Sequence, residues 1–215
     1  MQLKVWGEYG LFTKPETKAD PFSYPFLTPS AAEGILKAIF WKPEIEYTVN
    51  SITVLNPIRY ASFFRNMGKS KIVTSSYDKE HYIISDDRSQ RNFVVLKNPA
   101  YIIDFGMELT KRATDPIDKY FAIVNKRISQ GACFKQPCMG VKEYACAFKF
   151  PDGTEQVHPE LLGEFNFGQV LKKINFNPSK TGKLQWFDHQ QKKITKGNVE
   201  PEYFEAIMKN GVVRC

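Results

Sequence analysis

Apolar and polar positions alternate from Gln2 to Phe12, where Leu3, Val5, Tyr9 and Leu11 fall around Gly7. A period of two predicts a strand, with a bulge or bend at the glycine. A turn-rich loop from Thr13 to Pro29 follows. The period then changes: Ile35, Leu36, Ile39 and Phe40 form one helical stripe. Thr28 is placed to cap this helix with Pro29 at its first position, Ser30-Ala31-Ala32-Glu33 also fits a capping box, and Pro43 stops it. Strand patterns return at Ile45–Val49 and Ile52–Phe64, and again at Asn92–Lys97 and Tyr101–Leu109. The polar stretch 65–91 between them reads as a protruding hairpin. A second helix is expected from Asp115 as N-cap and Pro116 at the first position, with Ile117, Tyr120, Phe121, Val124 and Ile128 at helical spacing and Gly131 at its end. Lys142–Phe150 predicts a strand closed by Pro151-Asp152-Gly153. Beyond Leu161, short strands are expected at Glu164–Phe167, Ile174–Phe176 and Leu184–Phe187, then a short helix over Pro201–Met208.

The order strand, helix, two strands, helix, strand is the split βαβ pattern of an α+β, ferredoxin-like (RRM-like) domain: an antiparallel sheet with two helices on one face. Such a sheet leaves its other face free, an arrangement used by RNA-recognition modules. We therefore expect a ferredoxin-like RNA-binding domain over residues 1–150 and a smaller basic β extension over 151–215.

Composition narrows the class. With 42% hydrophobic residues and 17 phenylalanines in 215 positions, a packed core is expected. No apolar run reaches the roughly 18–20 residues of a membrane span, and no secretory pattern opens the chain. Four cysteines are too few and too bunched for a disulfide scaffold. The expectation is a soluble cytoplasmic protein.

The net charge of +7 is uneven. Residues 1–110 hold 13 basic and 12 acidic side chains; residues 111–215 hold 17 and 11. Much of the excess falls in Lys172, Lys173, Lys180, Lys183, Lys192, Lys193 and Lys196, with Asp188 as the one acid of that stretch. Such a surface attracts polyanions with a salt-sensitive affinity.

Candidate chemistry is mostly of one kind. His81, His158 and His189 sit in no metal or triad spacing, and Cys133, Cys138 and Cys146 lack the paired C-x-x-C of a zinc site. Neither G-x-x-x-x-G-K-[ST] nor G-x-G-x-x-G occurs, so no nucleotide cofactor and no metal is expected. Cations interleaved with glycines point instead to phosphate. Arg127, Lys135, Gln136 and Lys142 surround Gly131 and Gly140, and Lys69, Lys71, Arg88 and Arg91 flank Tyr77 and Tyr82 as a candidate RNA-stacking surface.

Several stretches together resemble one family: Leu3-Lys4-Val5-Trp6-Gly7-Glu8-Tyr9 with Phe12-Thr13-Lys14-Pro15; Pro29 to Leu36 leading to Ala38-Ile39-Phe40-Trp41-Lys42-Pro43; Gln90-Arg91-Asn92; Lys119-Tyr120; and Gly131 to Gly140 followed by Lys142-Glu143. They are similar to the CRISPR-associated Cas-five proteins of subtype I-C, within the RAMP superfamily, over roughly residues 2–150. The resemblance implies a protein that binds CRISPR repeat RNA and caps one end of the Cascade surveillance complex, beside its backbone and large subunits. It also implies cutting of the precursor transcript without a metal: the ribose 2′-hydroxyl attacks phosphorus and the 5′-oxygen leaves.

The family pattern has a tyrosine or histidine before Trp-Lys-Pro and a Lys-His pair on the second helix. This chain has Phe40 and Tyr120 at two of those three positions, and only Lys119 matches. Lys119 and Tyr120 are thus the candidate catalytic pair, with a non-catalytic RNA-binding and assembly subunit as the alternative.

Overall fold

The computed structural model describes residues 1–17, 19–68, 88–182, 184–188 and 193–215. Its elements are β1 (Gln2–Trp6), β2 (Tyr9–Gly10), α1 (Pro29–Ile39), β3 (Ile45–Val54), β4 (Tyr60–Gly68), β5 (Arg88–Lys97), β6 (Ala100–Leu109), α2 (Ile117–Ser129), β7 (Ala147–Lys149), β8 (Glu164–Pro178), β9 (Leu184–Asp188), β10 (Lys193–Lys209) and β11 (Val212–Arg214). The architecture is α+β, with antiparallel sheets and two α-helices among the described residues.

The main sheet runs β7-β1-β6-β3-β11-β10-β8, with β9 added to β10; a small sheet runs β2-β5-β4. Gly7 marks the point where the first strand leaves one sheet for the other, its N–H donating to Pro99 O at 3.1 Å. Both β1 and β3 pair antiparallel with β6, so they run parallel to each other with β6 inserted between them and α1 connecting them. Likewise β6 and β7 flank β1, connected through α2.

Local chemistry explains both helix starts. Thr28 Oγ1 accepts the Ala31 N–H at 3.3 Å and Pro29 occupies the first turn, where its missing N–H costs nothing. Ala32, Ile35, Leu36 and Ile39 are at most 1% exposed, so the stripe buries as expected. At α2 the expected cap shifts by one residue. Pro116 takes the N-cap position and Asp115 makes no capping bond, because its carboxylate is held by Lys119. α1 packs against β3 and β8, α2 against β6 and β7, and the two helices touch.

Four expectations change. Ile45–Val54 is one strand with an irregularity between Val49 and Ser51, and the run expected to begin at Ile52 breaks before Tyr60. Lys142–Phe150 contributes only Ala147–Lys149. Glu164 to Pro178 forms one continuous strand rather than two short ones. Pro201–Met208 is strand, not helix: Ala206 and Met208 are fully buried, Ile207 between them is half-buried, and Glu205 and Lys209 on either side are exposed, a period-two pattern. Cross-strand pairing with β8 over its whole length overrides the helix propensity of Glu202, Glu205 and Ala206. Asn210 and Gly211, at φ 49° and 79°, then close a two-residue hairpin onto β11.

One continuous cluster of buried side chains includes Leu3, Val5, Phe26, Ile103 and Tyr120 together with Val170, Met208 and Val213. The C-terminal strands thus extend the main sheet and share its core. They also bring carboxylates to the lysine-rich stretch: Glu202 lies directly across from Lys173. Among the described residues, no helix is long and apolar enough to cross a membrane.

Candidate active site and nucleic-acid interface

The segment after α1 lies along α2. The Arg127 guanidinium stands 5.2 Å from the Phe40 ring centroid and donates to Ile39 O at 2.7 Å. Lys42 Nζ stands 5.7 Å from the Tyr120 ring centroid. The two positions where the chain departs from the resembled pattern therefore each sit under a cation. Phe40 is 5% exposed and offers no proton. Tyr47 OH donates to Phe40 O at 2.8 Å, fixing the turn out of the helix. Burial pushes the Tyr47 phenol well above its ordinary value.

Lys119 points outward, its side chain 56% exposed, and its Nζ pairs with Asp115 Oδ2 at 2.9 Å across one helical turn. That hydrogen bond raises the Lys119 pKa, so the ammonium stays charged at neutral pH. Tyr120 is turned inward and is 1% exposed. Its hydroxyl is buried, approaches the backbone of Asp115 without a hydrogen bond of normal geometry, and finds no partner among the described residues. Desolvation, with the nearby Glu44 and Asp115 carboxylates, pushes the phenol up. Glu44 Oε2 is also buried without a partner. The site thus pairs one accessible cation with a neutral, proton-bearing phenol beneath it.

The glycine-punctuated connection after α2 is tied to α1. Phe134 N–H and Lys135 N–H both donate to Ala38 O, at 3.0 and 2.9 Å. This leaves the Lys135 side chain exposed, with Nζ 5.6 Å from the Phe134 ring centroid. Gln136 spends its amide on Cys146 O at 3.0 Å, and Lys142 is exposed. Gly140, at φ +88°, lets the chain press against the Leu11 carbonyl. Arg127, Lys135 and the Lys119–Tyr120 pair are therefore gathered around α1 and α2.

Arg88 and Arg91 lie elsewhere, on β5 of the small sheet. Arg91 donates to Ala19 O at 2.9 Å and is the cross-strand partner of Arg65. Lys69, Lys71, Tyr77 and Tyr82 lie outside the described residues. Arg65 was not singled out from sequence, yet it is the best-built cation of this sheet. Its guanidinium is 5.0 Å from the Phe93 ring centroid and donates to Tyr144 OH at 2.9 Å. Its one sequence signal is its place directly after Phe63-Phe64, where the expected strand Ile52–Phe64 ends. Among the described residues, no group of three or more His, Cys, Asp or Glu is placed to hold a metal ion. Burial pushes the Cys146 thiol up to about 12, consistent with an inert core cysteine.

A family model described as CRISPR-associated protein (Cas_Cas5) matches residues 1–215. A Thermus thermophilus protein named CRISPR pre-crRNA endoribonuclease Cas5d is 40% identical over 211 residues, covering 98% of this chain and 89% of that protein. A Mannheimia succiniciproducens protein of the same name is 35% identical over 228 residues, covering 99% and 93%. The fold resembles a crystal structure of a CRISPR-associated protein, with a TM-score of 0.64 at 18% identity, covering 100% of this chain and 90% of that one. A functionally uncharacterized Streptococcus mutans protein gives a TM-score of 0.63 at 17% identity with the same coverage. The chain belongs to the Cas5 family of CRISPR-associated proteins, and its near-full-length relatives are of the Cas5d kind that corresponds to subtype I-C.

Proposed function

We propose that this protein is a precursor CRISPR RNA endoribonuclease that cuts at the repeat and stays bound to its product within a Cascade complex in the cytoplasm. The observation that carries the reading is near-full-length similarity to two proteins named as such endoribonucleases. The strand order β7-β1-β6-β3, with two interleaved β-α-β units, supports a ferredoxin-like RNA-binding unit over residues 1–150. Residues 151–215 then act as a β extension of the same sheet.

The reaction asks little of the protein. The 2′-oxygen loses its proton and bonds to phosphorus; the bond from phosphorus to the 5′-oxygen breaks; that oxygen takes up a proton; a 2′,3′-cyclic phosphate remains. Lys119, exposed and charged, stabilises negative charge on the pentavalent phosphorus. Tyr120 is neutral at physiological pH, which suits a proton donor to the leaving oxygen rather than a base. Arg127, Lys135 and Lys142 hold the flanking phosphates.

A specific observation also favours a second reading. Phe40 has no proton to exchange and the Tyr120 hydroxyl is buried, as in a subunit that binds and assembles without cutting. Single-turnover incubation of the protein with end-labelled repeat RNA in EDTA separates the two. The nuclease gives one cut and a cyclic phosphate end. Tight binding with no cut refutes it and leaves the assembly subunit.

A further inference from the structure

The small sheet has an outer face that the proposed chemistry does not use. Along β4 the residues Tyr60, Ser62, Phe64 and Asn66 alternate outward. Their cross-strand partners on β5 include Asn92 opposite Phe64 and Gln90 opposite Asn66. Phe64 is 70% exposed and Tyr60 41% exposed. The face therefore presents two aromatic rings separated by hydroxyl and amide groups, not a continuous apolar patch.

The other side of the sheet holds this face rigid. Phe93 is buried, and Phe63 packs edge-on against Tyr9 with centroids 5.0 Å apart. At its Tyr60 end the face opens onto a cavity of about 460 Å³ lined also by Lys14, Arg59, Phe165 and Phe167. Phe22 stands 5.3 Å from Tyr60, and Lys14 Nζ is 5.1 Å from the Phe22 ring centroid. Two neighbouring carboxylates are engaged: Asp20 accepts the Asn92 N–H at 3.0 Å, and Glu160 holds Arg59 at 2.6 Å.

We propose that this outer face, Tyr60 and Phe64 with Ser62, Asn66, Gln90 and Asn92, binds unpaired bases of single-stranded RNA. Bases stack on the two rings, and the side-chain amides meet base edges with both donors and acceptors. Four residues of strand separate the rings by roughly 13 Å, a span that suits non-adjacent bases of an extended strand. The cavity beyond Tyr60 receives a further base, with Lys14 beside its phosphate. Aromatic rings alternating with amides and framed by cations, with the neighbouring Asp20 and Glu160 engaged among the described residues, fit nucleic acid better than a protein surface. The proposal rests on the RNA-binding reading above but not on cleavage.

The test uses the full chain, a fluorescently labelled short oligoadenylate and the labelled repeat RNA. Phe64 is exposed, so Phe64→Ala is expected to fold; melting temperature checks this. Phe64→Ala and Tyr60→Ala each weaken oligoadenylate binding about tenfold, the size of one lost base–aromatic stack. The slope of affinity against salt stays unchanged, while Phe64→Tyr binds like the parent. In Phe64→Trp, added oligoadenylate quenches the new indole fluorescence. Unchanged affinity in Phe64→Ala together with no quenching in Phe64→Trp overturns the proposal. So does a loss of association with other complex subunits while oligoadenylate binding stays intact, which would make the face a protein interface. If the parent fails to cut repeat RNA but Phe64→Ala still loses oligoadenylate affinity, the nuclease reading falls and the stacking face stands.

Discussion

Two glycines in one loop give a controlled experiment. Gly131 and Gly140 both have positive φ, at +62° and +88°. A side chain added at Gly131 meets nothing within 4 Å, whereas at Gly140 a Cβ would overlap the Leu11 carbonyl. Alanine at either position carries the left-handed penalty of about 1–2 kcal/mol. At Gly140 the Leu11 carbonyl must also move, and Leu11 N–H donates to Met139 O at 2.9 Å, so that hydrogen bond is strained or lost at about a further 1 kcal/mol. Met139, fully buried, shifts with it. The expected cost is about 3 kcal/mol for Gly140→Ala against about 1 kcal/mol for Gly131→Ala. For a chain of this length that lowers Tm by about 6–12 °C and about 2–4 °C respectively. Thermal unfolding followed by circular dichroism reads both. Equal, small shifts would refute the close approach of the two backbones. They would return Gly140 to the expectation that its glycine exists to admit a phosphate.

Four further outcomes follow, three from the site and one from the lysine-rich strands. Lys119→Ala should slow single-turnover cleavage by about 10²-fold or more without a comparable loss of repeat binding, the effect of removing a transition-state donor. Asp115→Asn should lower the Lys119 pKa, since the Asp115 hydrogen bond is what raises it; the ammonium of the variant then deprotonates at lower pH than in the parent, as an NMR titration of that side chain would show. Tyr120→Phe removes a buried hydroxyl with no partner, so it should raise Tm slightly while reducing cleavage; a fall in Tm would show that the hydroxyl is satisfied in solution. Lys180→Gln with Lys196→Gln should flatten the salt dependence of RNA binding more than Lys172→Gln with Lys173→Gln. Lys173 already faces Glu202, and both Lys172 and Lys173 line a groove with Glu33, Glu46 and Glu108.

Local signals were legible where the chain carries its own punctuation. Thr28-Pro29 starts α1 because one side-chain oxygen and one missing N–H satisfy the helix end without outside help. The alternating runs that became β1, β5 and β6 are core strands, and their period survives in any context. The C-terminal region departs from its expected helix because its conformation depends on a neighbouring strand fifteen residues long. Nothing within Pro201–Met208 reveals that β8 lies alongside, although Asn210-Gly211 just beyond it is a strong hairpin-turn signal.

The site divides in the same way. Lys119 and Tyr120 were found as adjacent residues, but their opposite fates, one outward and one buried, follow from the helix phase of Ile117, Val124 and Ile128. Asp115 looked like a cap because Asp before Pro favours one. The i,i+4 ion pair that claims it is equally visible in sequence and competes for the same oxygen. Arg65 and Phe64 carry little local signal, because their surroundings come from β5 and from Tyr144, distant in the chain.

The long ribbon of β8 and β10 is anchored unevenly. Near Gly163 and Asn210 its strands carry Val170, Ala206 and Met208 into the core, whereas toward Pro178 and Gly197 both faces meet solvent apart from the added β9. Register shifts at Glu202/Tyr203 and Glu205/Ile207 interrupt the ladder between the two ends. The amides of one hairpin should then exchange with deuterium on two clocks. Those beside Val170 and Met208 wait for global unfolding, and those beside Phe176 and Val199 open in a smaller unit of their own. The distal end can therefore open and close on its own while the fold that presents Lys119 stays intact.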